Sequence, residues 1–114
     1  MRILHVTDFH FHRAWFDWLT DQATGYDACC LTGDLLDMFP NGRVGLREQS
    51  RWVRKWLCNF PGRLYACTGN HDWWPRSEHV IDTDTEGGWL RKASRHGVIV
   101  DGSSEHLRGH HFVC

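Results

Sequence analysis

Three short segments carry side chains able to do chemistry together. Asp8-Phe9-His10 supplies a carboxylate and an imidazole, Gly33-Asp34-Leu35-Leu36-Asp37 two carboxylates, and Gly69-Asn70-His71-Asp72 a carboxamide, an imidazole and a carboxylate. Divalent ions take oxygen and imidazole ligands, and one carboxylate can bridge a pair of ions about 3.5 to 4 Å apart. Asp34, in the middle segment, is the natural bridge. Glycines beside Asp34 and Asn70 allow a sharp turn where a side chain would collide. The segments differ in weight. Asp-x-His arises by chance in roughly one chain of this size in ten, and Gly-Asn-His-Asp in fewer than about one in a thousand. Their order along the chain weighs more than either.

Each segment follows a short apolar run, at residues 3 to 6, 28 to 31 and 64 to 67. None of the runs alternates, which suits strands buried on both faces of a parallel sheet. Between the first two, Phe11, Trp15, Trp18, Leu19 and Ala23 stand at helical spacing before Gly25. Between the second and third, Leu46, Val53, Trp56, Leu57 and Phe60 repeat the pattern before Pro61-Gly62. The reading is strand, helix, strand, helix, strand. Right-handed crossovers would then deliver all three segments to one edge of the sheet. Beyond residue 72 the pattern predicts a helix near 87 to 96, a strand near 98 to 101, and short edge strands near 105 to 107 and 110 to 114. The chain stops inside the apolar run Phe112-Val113-Cys114, so residues 1–114 read as a single, incomplete domain.

These residues resemble the calcineurin-like metallophosphoesterases. In that family D-x-H, G-D-x-x-D and G-N-H-D or G-N-H-E follow successive strands of an αββα sandwich and build a two-metal site. The motifs here lie within residues 2 to about 72, and residues 73 to 114 match loosely. The resemblance implies an α/β fold, the N-terminal part of such a sandwich, with a parallel βαβαβ core followed by a helix and short edge strands. It implies that Asp8 and His10 hold a first metal, that Asp34 bridges, and that Asn70 holds the second. Asn70 and His71 would face the substrate, and His71 would stay off the metals and donate to the phosphate or leaving oxygen. Asp37 would orient His71, and the cofactors would be two divalent ions drawn from manganese, iron, zinc or nickel.

The implied activity is hydrolysis of a phosphoester, a small molecule or a nucleotide, by hydroxide activated between two metals, as a phosphodiesterase or phosphomonoesterase. Met38 follows Asp37 where the protein Ser/Thr phosphatase branch carries an arginine, which argues against a phosphoprotein substrate. The family's later G-H and G-H-x-H loops have no counterpart. Gly109-His110-His111-Phe112 lacks their spacing and reads as an edge strand with exposed imidazoles. The alternatives are a non-catalytic truncated scaffold or binding module that retains half of the metal site, or a site completed by another chain. Asp8-Phe9-His10-Phe11-His12 is also similar to the H-x-H of amidohydrolases, but their barrel needs about 200 residues or more.

Composition sets the outer limits. The chain has 114 residues, 41% of them hydrophobic, and a formal net charge of -1, which excludes disordered and coiled-coil classes. Without clustered Lys and Arg, nucleic acid enters only as a substrate. No apolar run reaches the length of a membrane span, and the N-terminus lacks a signal segment, so a cytoplasmic protein without membrane association is expected. The five cysteines, Cys29, Cys30, Cys58, Cys67 and Cys114, read as reduced core thiols. Trp15, Trp18, Trp52 and Trp56 are assigned to the core. Trp73-Trp74 would anchor the third loop or stack on a substrate base. His5 reads as a hydrogen-bonded core residue, Asp72 as a residue that fixes the loop, and His79, His96 and His106 as solvated.

Overall fold

The computed structural model describes residues 1–39, 44–72, 88–95 and 97–114. Four apolar stretches, β1 (Ile3–Val6), β2 (Ala28–Thr32), β3 (Leu64–Cys67) and β4 (Val98–Val100), pair in parallel in the order β1-β2-β3-β4. The register aligns Leu4, Cys29, Leu64 and Val98 in one row, and Val6, Leu31, Ala66 and Val100 in the next row on the same face. Both rows pack into one core with Phe16 and Leu19 of α1 (Arg13–Gln22) and Val53 and Leu57 of α2 (Leu46–Asn59). Strands that follow one another in sequence order, joined by crossovers of one hand, place both helices on the same side. Trp56 of α2 ties the helices together, its indole N–H donating to the Thr20 hydroxyl at 2.9 Å.

The opposite face carries Ile3, His5, Cys30, Tyr65 and Ile99. A hairpin of β5 (Ser104–Leu107) and β6 (His110–Val113) covers its β3 side. Arg108 and Gly109, at φ 48° and 79°, form the two-residue turn, whose left-handed pair matches the strand twist. Phe112 stacks on Tyr65 with ring centroids 4.2 Å apart. Glu105 accepts a hydrogen bond from the Tyr65 hydroxyl at 3.0 Å and pairs with Arg63.

The α/β core and its three strand ends agree with the sequence reading, and several details differ. β1 is not buried on both faces: it is an edge strand, with Ile3 41% exposed, because no described residue pairs with its outer side. β5 and β6 are not edge strands of the main sheet but a separate antiparallel pair. The third helix, α3, is a single turn, Gly88–Arg91. Trp15 and Trp18 are 51% and 38% exposed, since α1 turns Phe16 and Leu19 to the sheet and leaves the two indoles on its flank. Trp52 and Trp56 pack against the core, partly buried. All five cysteines are free, yet only Cys29 is buried and Cys58 is exposed on α2. His5 is exposed and bonded to the Thr32 hydroxyl at 2.6 Å, while His106 is exposed and stacks on His111. Trp73, Trp74, His79 and His96 lie outside the described residues. No helix among the described residues is long and apolar enough to cross a membrane.

Burial under the hairpin, reinforced by the Glu105 carboxylate, pushes the Tyr65 phenol up to about 12. A folded value above the unfolded one means that the neutral phenol stabilises the fold fully below about pH 10, and that this is lost as pH rises through the shifted value. Two units correspond to about 3 kcal/mol. Alkaline absorbance titration is therefore expected to show a phenolate step near pH 12 that Tyr65→Phe removes, with denaturant stability falling over the same interval.

Candidate metal centre

The loops that leave β1 and β2 are wound against steric preference. Asp8, His10 and Phe11 have φ of 59°, 42° and 53°, and Asp34 has φ 51° directly after Gly33 at 86°. Left-handed non-glycine residues cost of order 1–3 kcal/mol each and persist only where their surroundings hold them. Here a backbone ladder does so. Gly33 accepts from Asp8 N–H at 3.3 Å, Asp34 accepts from His10 N–H at 2.8 Å, and Leu35 accepts from Phe11 N–H at 2.9 Å. Gly33 N–H in turn donates to the Cys67 carbonyl at 2.9 Å, which carries the ladder on to β3.

The third loop is fastened by carboxylates. Asp72, fully buried, accepts from Gly69 N–H at 2.8 Å and Leu35 N–H at 3.1 Å with one oxygen, and from Leu36 N–H at 2.8 Å with the other. Asp34 answers from the middle loop, its Oδ1 accepting from His71 N–H at 2.9 Å. The two loops approach so closely that a Cβ on Gly69 would collide with the Asp34 backbone nitrogen and carboxylate. Burial pushes the Asp72 carboxyl above the ordinary range, against the pull of its three N–H donors, and the Asp34 charge adds to the upward shift. Trp89 of α3 closes the loop from behind, its indole N–H donating to the Asp72 carbonyl at 3.0 Å.

This bracing brings one donor atom from each of His10, Asp34 and His71 within 4.8 Å of one another. The two imidazole rings meet edge to face at 4.7 Å. Two imidazole nitrogens and a carboxylate oxygen form a donor set that borderline divalent ions accept. Nδ1 of His71 is buried without a hydrogen-bond partner among the described residues, which leaves a polar atom in need of one. On both counts the residues fit a divalent cation.

Of the residues singled out in the sequence, His10, Asp34 and His71 are gathered. Asp8 lies at the margin: its Oδ1 is 3.7 Å from His10 Nε2, and the Thr7 hydroxyl holds its other oxygen at 2.6 Å. Asn70 is exposed at the start of the 3-10 turn Asn70–Asp72. Asp37 takes part in a local contact. Its Oδ1 accepts from Phe39 N–H at 3.0 Å, a local turn of the kind aspartate makes with its own backbone two residues on.

Two supports carry no motif. Gln49 is fully buried on α2 and grips the second loop, accepting from Asp37 N–H at 2.8 Å and donating to the carbonyls of Asp37 at 3.1 Å and Val44 at 2.8 Å. In sequence it is one polar residue among many on that helix. Trp89 is the other.

Residues 1–111 match the model of the calcineurin-like phosphoesterase family. The chain belongs to that family. A search of curated proteins finds no match. The family match extends past the three motifs to the β5–β6 hairpin.

Replacing Gly69 by Ala is expected to lower stability by about 1–3 kcal/mol, read as a fall in the denaturation midpoint at unchanged slope. Gly25, where a Cβ meets nothing within 4 Å, serves as the control and should tolerate Ala.

Proposed function

We propose that this chain is a metal-dependent phosphoester hydrolase in which Asp8, His10, Asp34 and Asn70 hold two divalent cations of the manganese, iron, zinc or nickel group. The observation that carries the reading is the convergence of His10, Asp34 and His71 on one point, in a chain of the calcineurin-like phosphoesterase family. Such ions, when bound, act as Lewis acids on phosphoryl oxygens and lower the pKa of water toward neutrality.

The protein supplies placement. Asp34 stands between the first and third loops, with one oxygen engaged by His71 N–H and the carboxylate held by its backbone bond to His10. His71 presents an imidazole beside this carboxylate. That imidazole suits a role in hydrogen bonding to a phosphate oxygen or passing a proton to the leaving oxygen. Asn70, uncharged, adds a donor and acceptor without cancelling the positive field that an anionic ester needs. The proposed setting is cytoplasmic.

The test loads the chain with manganese and follows a chromogenic phosphodiester and a phosphomonoester. Asp34→Asn is expected to reduce kcat/KM by at least roughly 100-fold and to weaken manganese retention in equilibrium dialysis. Turnover unaffected by that substitution would overturn the reading. Tight metal binding with no turnover of either ester would favour the non-catalytic scaffold instead.

A further inference from the structure

A groove beside the candidate centre is lined by Asp8, at the margin of that centre, and by two side chains of α1. Val6, Thr7, Asp8, Phe9, Trp15 and Trp18 line it, enclosing about 370 Å³. That volume is within the range of small-molecule sites. The two indoles stand edge to face with centroids 6.0 Å apart, and each leaves a third to a half of its surface open. α1 already buries Phe16 and Leu19 against the sheet, so its second aromatic pair is not needed for the core.

The lining dictates what can fit. Among the described residues no lysine or arginine lines the groove. Its walls are apolar and aromatic, suited to a planar uncharged ring. At the mouth, the Thr7 hydroxyl and the Asp8 carboxylate offer hydrogen bonds to hydroxyl groups. Asp8 belongs to both places, since its carboxylate is 3.7 Å from His10 Nε2. A molecule with its phosphoryl group at the His10, Asp34 and His71 cluster therefore extends its organic part past Asp8 toward the indoles. An aromatic base, a hydroxyl-bearing linker and a phosphoryl group, in that order, describe a nucleotide.

Resting on the phosphoesterase reading, we propose that this groove is the nucleoside subsite of that centre, with one of the two perpendicular indoles of Trp15 and Trp18 stacking on the base, the other meeting the base edge, and Asp8 and Thr7 meeting the sugar hydroxyls. The proposal selects nucleotide esters over phosphoesters of aliphatic alcohols.

Calorimetric titration tests it with adenosine in the absence of metal, and with adenosine monophosphate and glycerol phosphate in the presence of manganese. Adenosine is expected to bind, and the nucleotide to bind at least tenfold more tightly than glycerol phosphate. Trp15→Leu and Trp18→Leu retain apolar bulk without a stacking surface. Each is expected to weaken adenosine and the nucleotide by roughly 5- to 100-fold while leaving glycerol phosphate binding and the thermal midpoint unchanged. Equal affinity for the two phosphoesters, or leucine variants that bind the nucleotide as the parent does, would overturn the subsite. So would sedimentation showing a dimer that the leucine variants dissociate, because a second copy would then occupy the groove. Tryptophan-dependent adenosine binding without hydrolysis of any ester would sink the phosphoesterase reading and leave the subsite standing. Hydrolysis indifferent to the base would do the reverse.

Discussion

A single buried carboxylate holds the centre together. Asp72 accepts three backbone N–H groups from two different loops, so the third loop and the second cannot move independently. Charge-assisted hydrogen bonds of this kind are among the stronger ones available to a protein, and each donor left unpaired in the interior would cost about 1–3 kcal/mol. The interaction also carries a local conflict: burial opposes the charge that the three donors favour. The loops meet only because Gly69 has no side chain and because Asp34 can lie beside it. His10 is then placed indirectly, through its backbone bond to Asp34.

Much of this was legible in the sequence. Non-alternating runs at 3 to 6, 28 to 31 and 64 to 67 announced the parallel strands, because β2 and β3 are largely covered on both faces, by the helices on one and, at Tyr65, by the hairpin on the other. The polar segments after each run announced a shared edge. What the pattern could not convey is direction. The spacing of Asp37 says nothing of the local turn that its Oδ1 closes with Phe39 N–H. His71 is drawn into the cluster because its backbone is tied to Asp34.

The misread residues share a cause. Trp15 and Trp18 fall at helical spacing, and a spacing argument assigns aromatic residues to the core by default. A helix of only ten residues has one narrow seam, which Phe16 and Leu19 occupy. β1 was misjudged in a related way, since an apolar run reveals the strand but not whether a neighbour exists on each side. Gln49 and Trp89 escaped notice for the opposite reason: they act across space, through bonds to backbone atoms distant in sequence.

The strand order has a bearing on how the molecule comes into being. Because each strand lies next to its predecessor, assembly can follow the direction of synthesis, with the Asp8 loop docking on the Asp34 loop before any of β3 exists. In that interval Asp34 has no backbone amide from His71, and Leu35 and Leu36 have no carboxylate to receive theirs. A nascent chain halted before residue 64 would thus expose a strained, half-braced turn, and the His10, Asp34 and His71 side chains would come together only once the third loop locked over it.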